Sequence, residues 1–135
     1  NHDMFMVYAD LDNMKQINDA LGHETGDLAL ATTASILRST FRQADIIARL
    51  GGDEFAIFLS CKPGTDSEQA ILSRLEENIA EENSTGELPF SIAISVGVVR
   101  FAEDETLEHA MIRADGLMYD SKVRRKGKVG DRNGG

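Results

Sequence analysis

The chain has 135 residues, of which 41% are hydrophobic and 27% are charged, a composition typical of one soluble globular domain. Its 23 acidic and 14 basic residues give a formal net charge of −9, which argues against a protein that binds nucleic acid or an anionic membrane. The single cysteine, Cys61, excludes an internal disulfide bond.

Hydrophobic periodicity predicts strands and helices in the order β-α-α-β-β-α-β-α. The predicted elements cover residues 4–10, 13–21, 27–42, 46–48, 55–59, 67–82, 90–98 and 107–124. The two middle strands form a β-hairpin, and helices must cover one face of the sheet, which predicts an α+β fold of the α/β-sandwich type. No apolar run has the length of a membrane span, and no basic leader opens the chain. We therefore expect a single cytoplasmic domain, with any membrane anchor outside this sequence.

Asp10 ends the first predicted strand, where a carboxylate is poorly solvated and requires a partner. If Asp10 and Asp53 approach within ~4 Å, their repulsion at an effective dielectric constant of about 20 is about 4 kcal/mol, and a divalent metal would remove that cost. Oxygen ligands without histidine or cysteine suit Mg²⁺ or Mn²⁺. The alternative is that Asp10 caps a local group or pairs with an arginine. Asp12 precedes the first helix and is expected to be its N-cap.

The hairpin turn contains the glycine pair Gly51 and Gly52, followed by two acids, Asp53 and Glu54. Glycine tolerates a positive φ and lets another molecule approach the backbone closely. Strand alternation sends the two carboxylates to opposite sides, so that one of them can face a ligand while the other turns elsewhere.

The segment Gly51-Gly52-Asp53-Glu54-Phe55 resembles the signature of the GGDEF family, the diguanylate cyclase domains that condense two GTP into cyclic di-GMP. Four further blocks of the family pattern stand at matching spacings from about Asp10 to Lys126. The resemblance implies one GGDEF domain over residues 1–135, with a mainly antiparallel sheet flanked by helices, like the nucleotide cyclases and polymerase palms. Residues 125–135 are expected to be a frayed tail. The helix and turn that generally precede the first strand in this family are missing from the sequence.

The resemblance also assigns the catalytic and metal-binding residues. Asp10, the carbonyl of Leu11 and Asp53 correspond to ligands of Mg²⁺ or Mn²⁺. Asp53 is in addition the candidate catalytic base, and Glu54 supports either the base or the metal.

Two groups of residues correspond to the family's substrate contacts. Asn18 and Asp27 match the groups that read guanine, and His23 matches a further position of the substrate site. Phosphate contacts are expected from Lys15, Lys122 and Lys126, the last of which replaces an arginine of the family pattern. Singly, these residues have simpler interpretations: an exposed helix amide, a first-turn acid, a surface histidine and a basic helix end.

Arg42 and Asp45 form an Arg-x-x-Asp placed five residues before the glycine pair and resemble the family's inhibitory site, where the product binds back. Arginine can hold guanine or phosphate through two hydrogen bonds, and aspartate complements the guanine edge. Arg74 is a weaker candidate for the same site. The alternative is a local ion pair at a helix end.

The function implied by the resemblance is a diguanylate cyclase that acts as a homodimer, each domain holding one GTP, under the control of sensory or effector domains outside this sequence. Two alternatives stay open. The first is a catalytically silent module that binds GTP or cyclic di-GMP as a regulatory receptor. The second is a related cyclase with altered base choice, against which Asp27 counts.

Overall fold

The computed structural model describes residues 1–134, together with the side chains of residues 1–125. The strands are β1 (Asp3–Leu11), β2 (Ile46–Arg49), β3 (Glu54–Cys61) and β4 (Ile94–Arg100). The helices are α1 (Met14–Leu21), α2 (His23–Thr40), α3 (Glu68–Ser84) and α4 (Leu107–Gly134). The predicted order of elements is therefore confirmed. None of the helices in the described part of the chain is both long and apolar enough to cross a membrane.

The four strands form one antiparallel sheet in the order β2-β3-β1-β4. The central strand β1 pairs with β3 on one side and with β4 on the other. This arrangement confirms the predicted α+β fold with its mainly antiparallel sheet. It also brings the end of β1 beside the start of β3, where Asp10 lies directly opposite Glu54 in the ladder.

Helices cover both faces of the sheet rather than only one. The larger core contains Val7 and Ile57 together with buried residues of α2 and α3, whereas Met6 and Ala56 pack with α4 on the other face. Because side chains alternate along a strand, the apolar residues at both odd and even positions of β1 require cover on two sides.

The fourth strand begins at Ile94, four residues later than its alternating pattern predicts. Ahead of it, the Asn83 side chain replaces a strand partner for Ile92. The Asn83 amide donates to the Ile92 carbonyl at 2.9 Å, and Ile92 N–H donates to Asn83 Oδ1 at 2.7 Å. An amide side chain that satisfies the backbone in this way makes further ladder pairing unnecessary.

Asp12 is not the N-cap of α1, so that prediction was wrong. Asn13 is the N-cap residue, with φ of 63° and no capping side-chain bond. The Ser95 hydroxyl donates instead to the buried Asp12 carboxylate, at 2.8 Å from Oδ1 and 2.9 Å from Oδ2. Local sequence favours a cap, but a tertiary partner on β4 satisfies the carboxylate.

Gly97 on β4 lets α4 approach the sheet closely. A Cβ atom at this position would lie 2.0 Å from the Ala114 carbonyl oxygen and 2.6 Å from the Met118 nitrogen. We expect Gly97→Ala to lower the free energy of unfolding by about 1–3 kcal/mol, because backbone atoms of a helix must shift to admit the methyl group. Urea unfolding measures this loss. Gly116→Ala, which meets open space on α4, is the control and should leave stability unchanged or raised.

Candidate active site

Backbone hydrogen bonds fix the hairpin turn against the end of β1. Leu11 N–H donates to the Asp53 carbonyl at 3.0 Å, and Leu50 N–H donates to the Glu54 carbonyl at 2.9 Å. The first bond continues the β1–β3 ladder into the turn, and the second continues the β2–β3 ladder. The structure thus brings Asp10 to the same edge of the sheet as Asp53 and Glu54, although Asp10 is far from both in sequence.

Asp10 is a buried carboxylate that is only half satisfied. Its Oδ2 accepts a hydrogen bond from Lys122 Nζ on α4, whereas Oδ1 is buried and has no partner among the described residues. Burial raises the pKa of the Asp10 carboxyl, the Lys122 hydrogen bond opposes this, and the negative charge of Asp53 raises the pKa further. The partner of Asp10 is therefore a lysine, and neither the arginine nor the capped group of the alternative interpretation is present among its contacts.

This donor set fits a hard divalent cation. The unpartnered Oδ1 of Asp10 and the nearby acids Asp53 and Glu54 all favour positive charge at this point. No three acidic, histidine or cysteine side chains converge as a ready-made metal cluster within the described part of the chain. Mg²⁺ commonly completes such sparse protein sites with water and substrate phosphate oxygens.

Tyr8 is a member of the site that the sequence analysis missed. Its hydroxyl donates to Glu54 Oε2. Burial, followed by this hydrogen bond and the charge of Glu54, raises the pKa of Tyr8 well above its ordinary value, so the phenol remains a neutral donor. The only signal in the sequence was the position of Tyr8 two residues before Asp10, which puts both side chains on one face of the strand.

An open groove of about 480 Å³ lies between the hairpin turn and the first two helices. It is lined by Met14, Lys15, Asn18, Asp19, His23, Leu30, Arg49, Gly52 and Asp53. The predicted substrate residues Lys15, Asn18 and His23 are therefore brought together with Asp53. Asp27, in contrast, is exposed in the second turn of α2, because the helix begins at His23 and not at residue 27 as predicted, and it is not among these lining residues.

Asn18 presents a second unpartnered oxygen in the site. Its Oδ1 is buried and has no hydrogen-bond partner in the part of the chain that the structure describes. A Cβ atom on Gly26 would lie 1.8 Å from this oxygen, so the position of the amide depends on glycine at residue 26. The amide is consequently held near the groove with hydrogen-bonding capacity to spare.

The two glycines of the turn are not required by the fold itself. Neither Gly51 nor Gly52 has a positive φ, and a Cβ atom on either would meet nothing within 4 Å. The positive φ that glycine tolerates is therefore not used in this turn. The turn is held by Arg49, another residue that the sequence analysis missed, whose Nε and Nη2 donate to the carbonyls of Gly51 at 3.0 Å and Gly52 at 2.6 Å.

Residues 1–128 match a family model described as "Diguanylate cyclase, GGDEF domain". The chain belongs to the GGDEF family. This GGDEF domain is 40% identical over 124 residues to the diguanylate cyclase DgcP of Pseudomonas aeruginosa, across 89% of this chain and 18% of that protein. It is 35% identical over 118 residues to MucR of the same species, a bifunctional diguanylate cyclase/cyclic di-GMP phosphodiesterase, across 87% of this chain and 17% of MucR.

A solved structure gives the same result for the fold. The GGDEF domain of DgcB from Caulobacter crescentus in complex with c-di-GMP matches this GGDEF domain with a TM-score of 0.77 and 29% identity, across 90% of this chain and 73% of that one. The resemblance seen in the sequence is therefore confirmed at the level of the family and the fold. The chain spans less than a fifth of the length of DgcP and MucR.

Arg42 and Asp45 form the local ion pair that was the alternative interpretation of the Arg-x-x-Asp segment. Arg42 Nη2 lies 3.1 Å from Asp45 Oδ1 and also donates to the Ser60 carbonyl at 2.7 Å. Nearby, Arg74 donates two hydrogen bonds to Asp66, at 3.1 and 2.9 Å. Their part in product inhibition stays a prediction for this GGDEF domain.

The side chains of the basic residues in the second half of α4 are only partly described. Lys122 contacts Asp10, whereas the side chain of Lys126, predicted to replace the phosphate arginine, lies outside the described residues. Arg125 Nε lies 3.7 Å from Asp12 Oδ2. A guanidinium one position before Lys126 is thus already close to the end of β1 in this GGDEF domain.

Proposed function

We propose that this GGDEF domain is a diguanylate cyclase that converts two GTP into cyclic di-GMP and two pyrophosphates. The observation that carries the proposal is a pair of buried side-chain oxygens without hydrogen-bond partners among the described residues, Asp10 Oδ1 and Asn18 Oδ1. Buried polar atoms are almost always satisfied in folded proteins, so unsatisfied ones call for a specific explanation. A nucleotide bound along the groove, with its base at Asn18 and its phosphates near Asp10, explains both atoms.

The proposed substrate contacts divide into base and phosphate recognition. The Asn18 amide can both donate to and accept from guanine, and a carboxylate at Asp27 can accept from N1–H and the exocyclic amine. His23 lines the same groove, which would put it beside the bound nucleotide. Lys15 and Lys122, with Lys126, supply positive charge for the triphosphate in a chain whose net charge is −9.

The proposed cofactor is Mg²⁺ or Mn²⁺, held by Asp10, the Leu11 carbonyl and Asp53. When bound, such a cation stabilises the charge that develops on the reacting phosphate and lowers the pKa of the attacking hydroxyl. Asp53 is the proposed base because its carboxylate accepts no hydrogen bond among the described residues and borders the groove. Glu54 stays at the edge of the sheet, opposite Asp10.

The proposed reaction needs two copies of the domain, each holding one GTP. The 3′-hydroxyl of one GTP attacks the α-phosphate of the other, the new P–O bond forms, the bond to the β-phosphate breaks, and pyrophosphate leaves. The same transfer in the opposite direction closes the ring. The homodimer and the control by other domains of the full-length protein belong to the proposal, as does a cytoplasmic location, where GTP is supplied.

We also propose that cyclic di-GMP inhibits the enzyme at Arg42 and Asp45. The Arg42 side chain is 60% exposed, so its guanidinium can exchange Asp45 for a guanine edge or a phosphate of the product. The hydrogen bond to Asp66 is the main cause of the raised pKa of Arg74, and the charge of Asp45 raises it further, which supports a shared site.

The experiment that tests the function is product formation by the full-length protein with GTP and Mg²⁺, with ATP as the matched substrate control. Chromatography that detects cyclic di-GMP and pyrophosphate from GTP, and neither product in EDTA, would support a cyclase. Binding of GTP or cyclic di-GMP without turnover would instead support the silent receptor module.

Base selectivity gives a separate prediction about Asp27. We expect Asp27→Ser to reduce the preference for GTP over ATP by a factor of about 10 or more, because a site that hydrogen-bonds the substrate discriminates strongly against analogues that lack those groups. Competition between the two nucleotides measures the preference. Glu24→Ser, an exposed acid in the preceding turn of α2, is the control, and an unchanged preference in Asp27→Ser would reject the role of Asp27.

A further inference from the structure

Tyr8 and Glu54 are linked by a hydrogen bond across neighbouring strands of the sheet. Tyr8 lies opposite Ala56 in the β1–β3 ladder, and Glu54 lies two residues before Ala56 on the same face. The small side chain of Ala56 leaves room for the phenol ring to lean along β3. The hydroxyl thereby reaches Glu54 Oε2, while Oε1 receives no hydrogen bond from the described residues.

We propose that Tyr8 is a positioning residue, which fixes the Glu54 carboxylate beside Asp10 and so prepares the site to bind its divalent cation. The inference rests on the proposed function, since it names a residue that acts on the same cation site through Glu54. Tyr8 itself is not expected to contact the substrate.

Electrostatic repulsion makes such a residue necessary. Asp10 lies directly opposite Glu54, and Asp53 immediately precedes Glu54 in the chain. Three carboxylates therefore share this edge of the sheet. Repulsion between like charges would drive the most flexible of them toward solvent. Glutamate has three side-chain torsions and can leave easily, whereas a hydrogen bond from a rigid phenol, anchored in the central strand, keeps it in place.

The hydrogen bond also distinguishes the two adjacent acids of the turn. The Asp53 carboxylate has no hydrogen bond among the described side chains and borders the groove, whereas Glu54 is held by one oxygen. A hydrogen bond from a described side chain therefore holds Glu54 but not Asp53. Glu54 then supports the cation that Asp10, the Leu11 carbonyl and Asp53 are proposed to hold, and Tyr8 keeps its carboxylate in place.

The test compares Tyr8→Phe with the parent in the full-length protein. The variant removes one hydroxyl and keeps the ring, so packing between β1 and α4 should be retained. We expect kcat to fall about 10- to 100-fold, the KM for GTP to change by less than about 2-fold, and Mn²⁺ binding, followed by electron paramagnetic resonance with a non-hydrolysable GTP analogue, to weaken about 10-fold. Tyr119→Phe is the matched control, since Tyr119 is 62% exposed, and it should behave as the parent does.

A double-substitution cycle identifies the route of the effect. If Tyr8 acts through Glu54, Tyr8→Phe should weaken Mn²⁺ binding no further once Glu54→Gln is in place. Independent, additive effects would overturn the inference. So would a Tyr8→Phe variant that melts at a lower temperature but binds Mn²⁺ as tightly as the parent, because that result describes a purely structural tyrosine.

The binding measurement keeps this inference separate from the proposed function. A parent protein that makes no cyclic di-GMP would end the cyclase proposal, but the Mn²⁺ titrations of parent and Tyr8→Phe would still decide the role of Tyr8. Equal Mn²⁺ affinities in both proteins would reject that role even if the parent is an active cyclase.

Discussion

Replacing Asp10 with asparagine should reduce cyclic di-GMP synthesis by a factor of about 10³ or more, because a metal ion contributes several kcal/mol of transition-state stabilisation and each 1.36 kcal/mol is a factor of about ten. The same substitution should not weaken the fold. Loss of activity without loss of stability is the combination expected of a residue retained for a ligand rather than for the fold.

The expectation that Asp10→Asn does not destabilise the fold follows from the direction of the pKa shift of Asp10. Burial raises the pKa of the Asp10 carboxyl, with the Lys122 hydrogen bond opposing and the charge of Asp53 adding to the rise. A carboxyl whose pKa is higher in the folded than in the unfolded chain binds its proton more tightly when folded, so ionisation costs stability. The cost is absent well below the ordinary aspartate pKa of about 3.9 and develops as the pH rises through the folded-state pKa.

Asparagine resembles the protonated aspartate, so the variant should be at least as stable as the parent at pH 7 in EDTA. This advantage should shrink as the pH falls toward about 4, where the parent carboxyl is neutral as well. Urea unfolding at the two pH values measures it. The substitution does not leave the Lys122 charge without a partner, since its side chain is 26% exposed and its ammonium group can bind water.

Asp104→Asn is the matched control for Asp10→Asn. Asp104 lies in the loop before α4 with φ of 64°, a conformation that asparagine also adopts readily, so activity and stability should both stay at the parent level. If Asp10→Asn unfolds at lower urea concentrations than the parent at pH 7, the carboxylate supports the fold through Lys122. Retained synthesis in Asp10→Asn would remove Asp10 from the proposed cation site.

The order of elements was predictable because it depends on local patterns. The apolar run of β1, the alternation in β3 and the helical spacing in α2 are properties of short segments and do not depend on which partners these segments contact. The predicted boundaries of the elements were less accurate where a side chain replaced a backbone hydrogen-bond partner. Asn83 holds Ile92 from α3, and nothing in the residues around Ile92 indicates this.

The parts of the site that were missed depend on register between distant segments. Tyr8 reaches Glu54 only because β1 and β3 pair with Asp10 opposite Glu54, a register that one strand alone does not specify. Ser95 reaches Asp12 across 83 residues for the same reason. The motif resemblance identified the acids and the lysine of the site, but the hydrogen bonds that position them belong to the tertiary structure.

The glycines of the turn show a different limit of prediction from the sequence. Their pairing predicted a tight turn, and the structure has a turn in which neither residue needs to be glycine for conformation or packing. Any need for glycine at these two positions would then come from outside the folded chain. The open space in front of Gly52, at the groove beside Asp53, is where the phosphates of a nucleotide would approach the backbone.

Gly52→Ala should therefore change stability by no more than about 0.5 kcal/mol, since the added methyl group meets no atom within 4 Å, yet reduce cyclic di-GMP synthesis about 10- to 100-fold. Steric exclusion of the phosphates from the turn is the physical reason. Urea unfolding and product formation at saturating Mg²⁺ measure the two quantities on the same preparation, and Gly116→Ala, which also projects into open space, controls for the substitution itself.

The outcome for Gly52→Ala distinguishes two origins of the glycine pair. A variant that keeps its stability and loses activity assigns the glycine to an approaching ligand. A variant that loses both would mean that the turn rearranges in the ligand-bound state, with Arg49 releasing the carbonyls of Gly51 and Gly52 that it now holds. Full activity in Gly52→Ala would contradict the proposal that phosphates approach this turn, and it would move the expected triphosphate position toward Lys15 on α1.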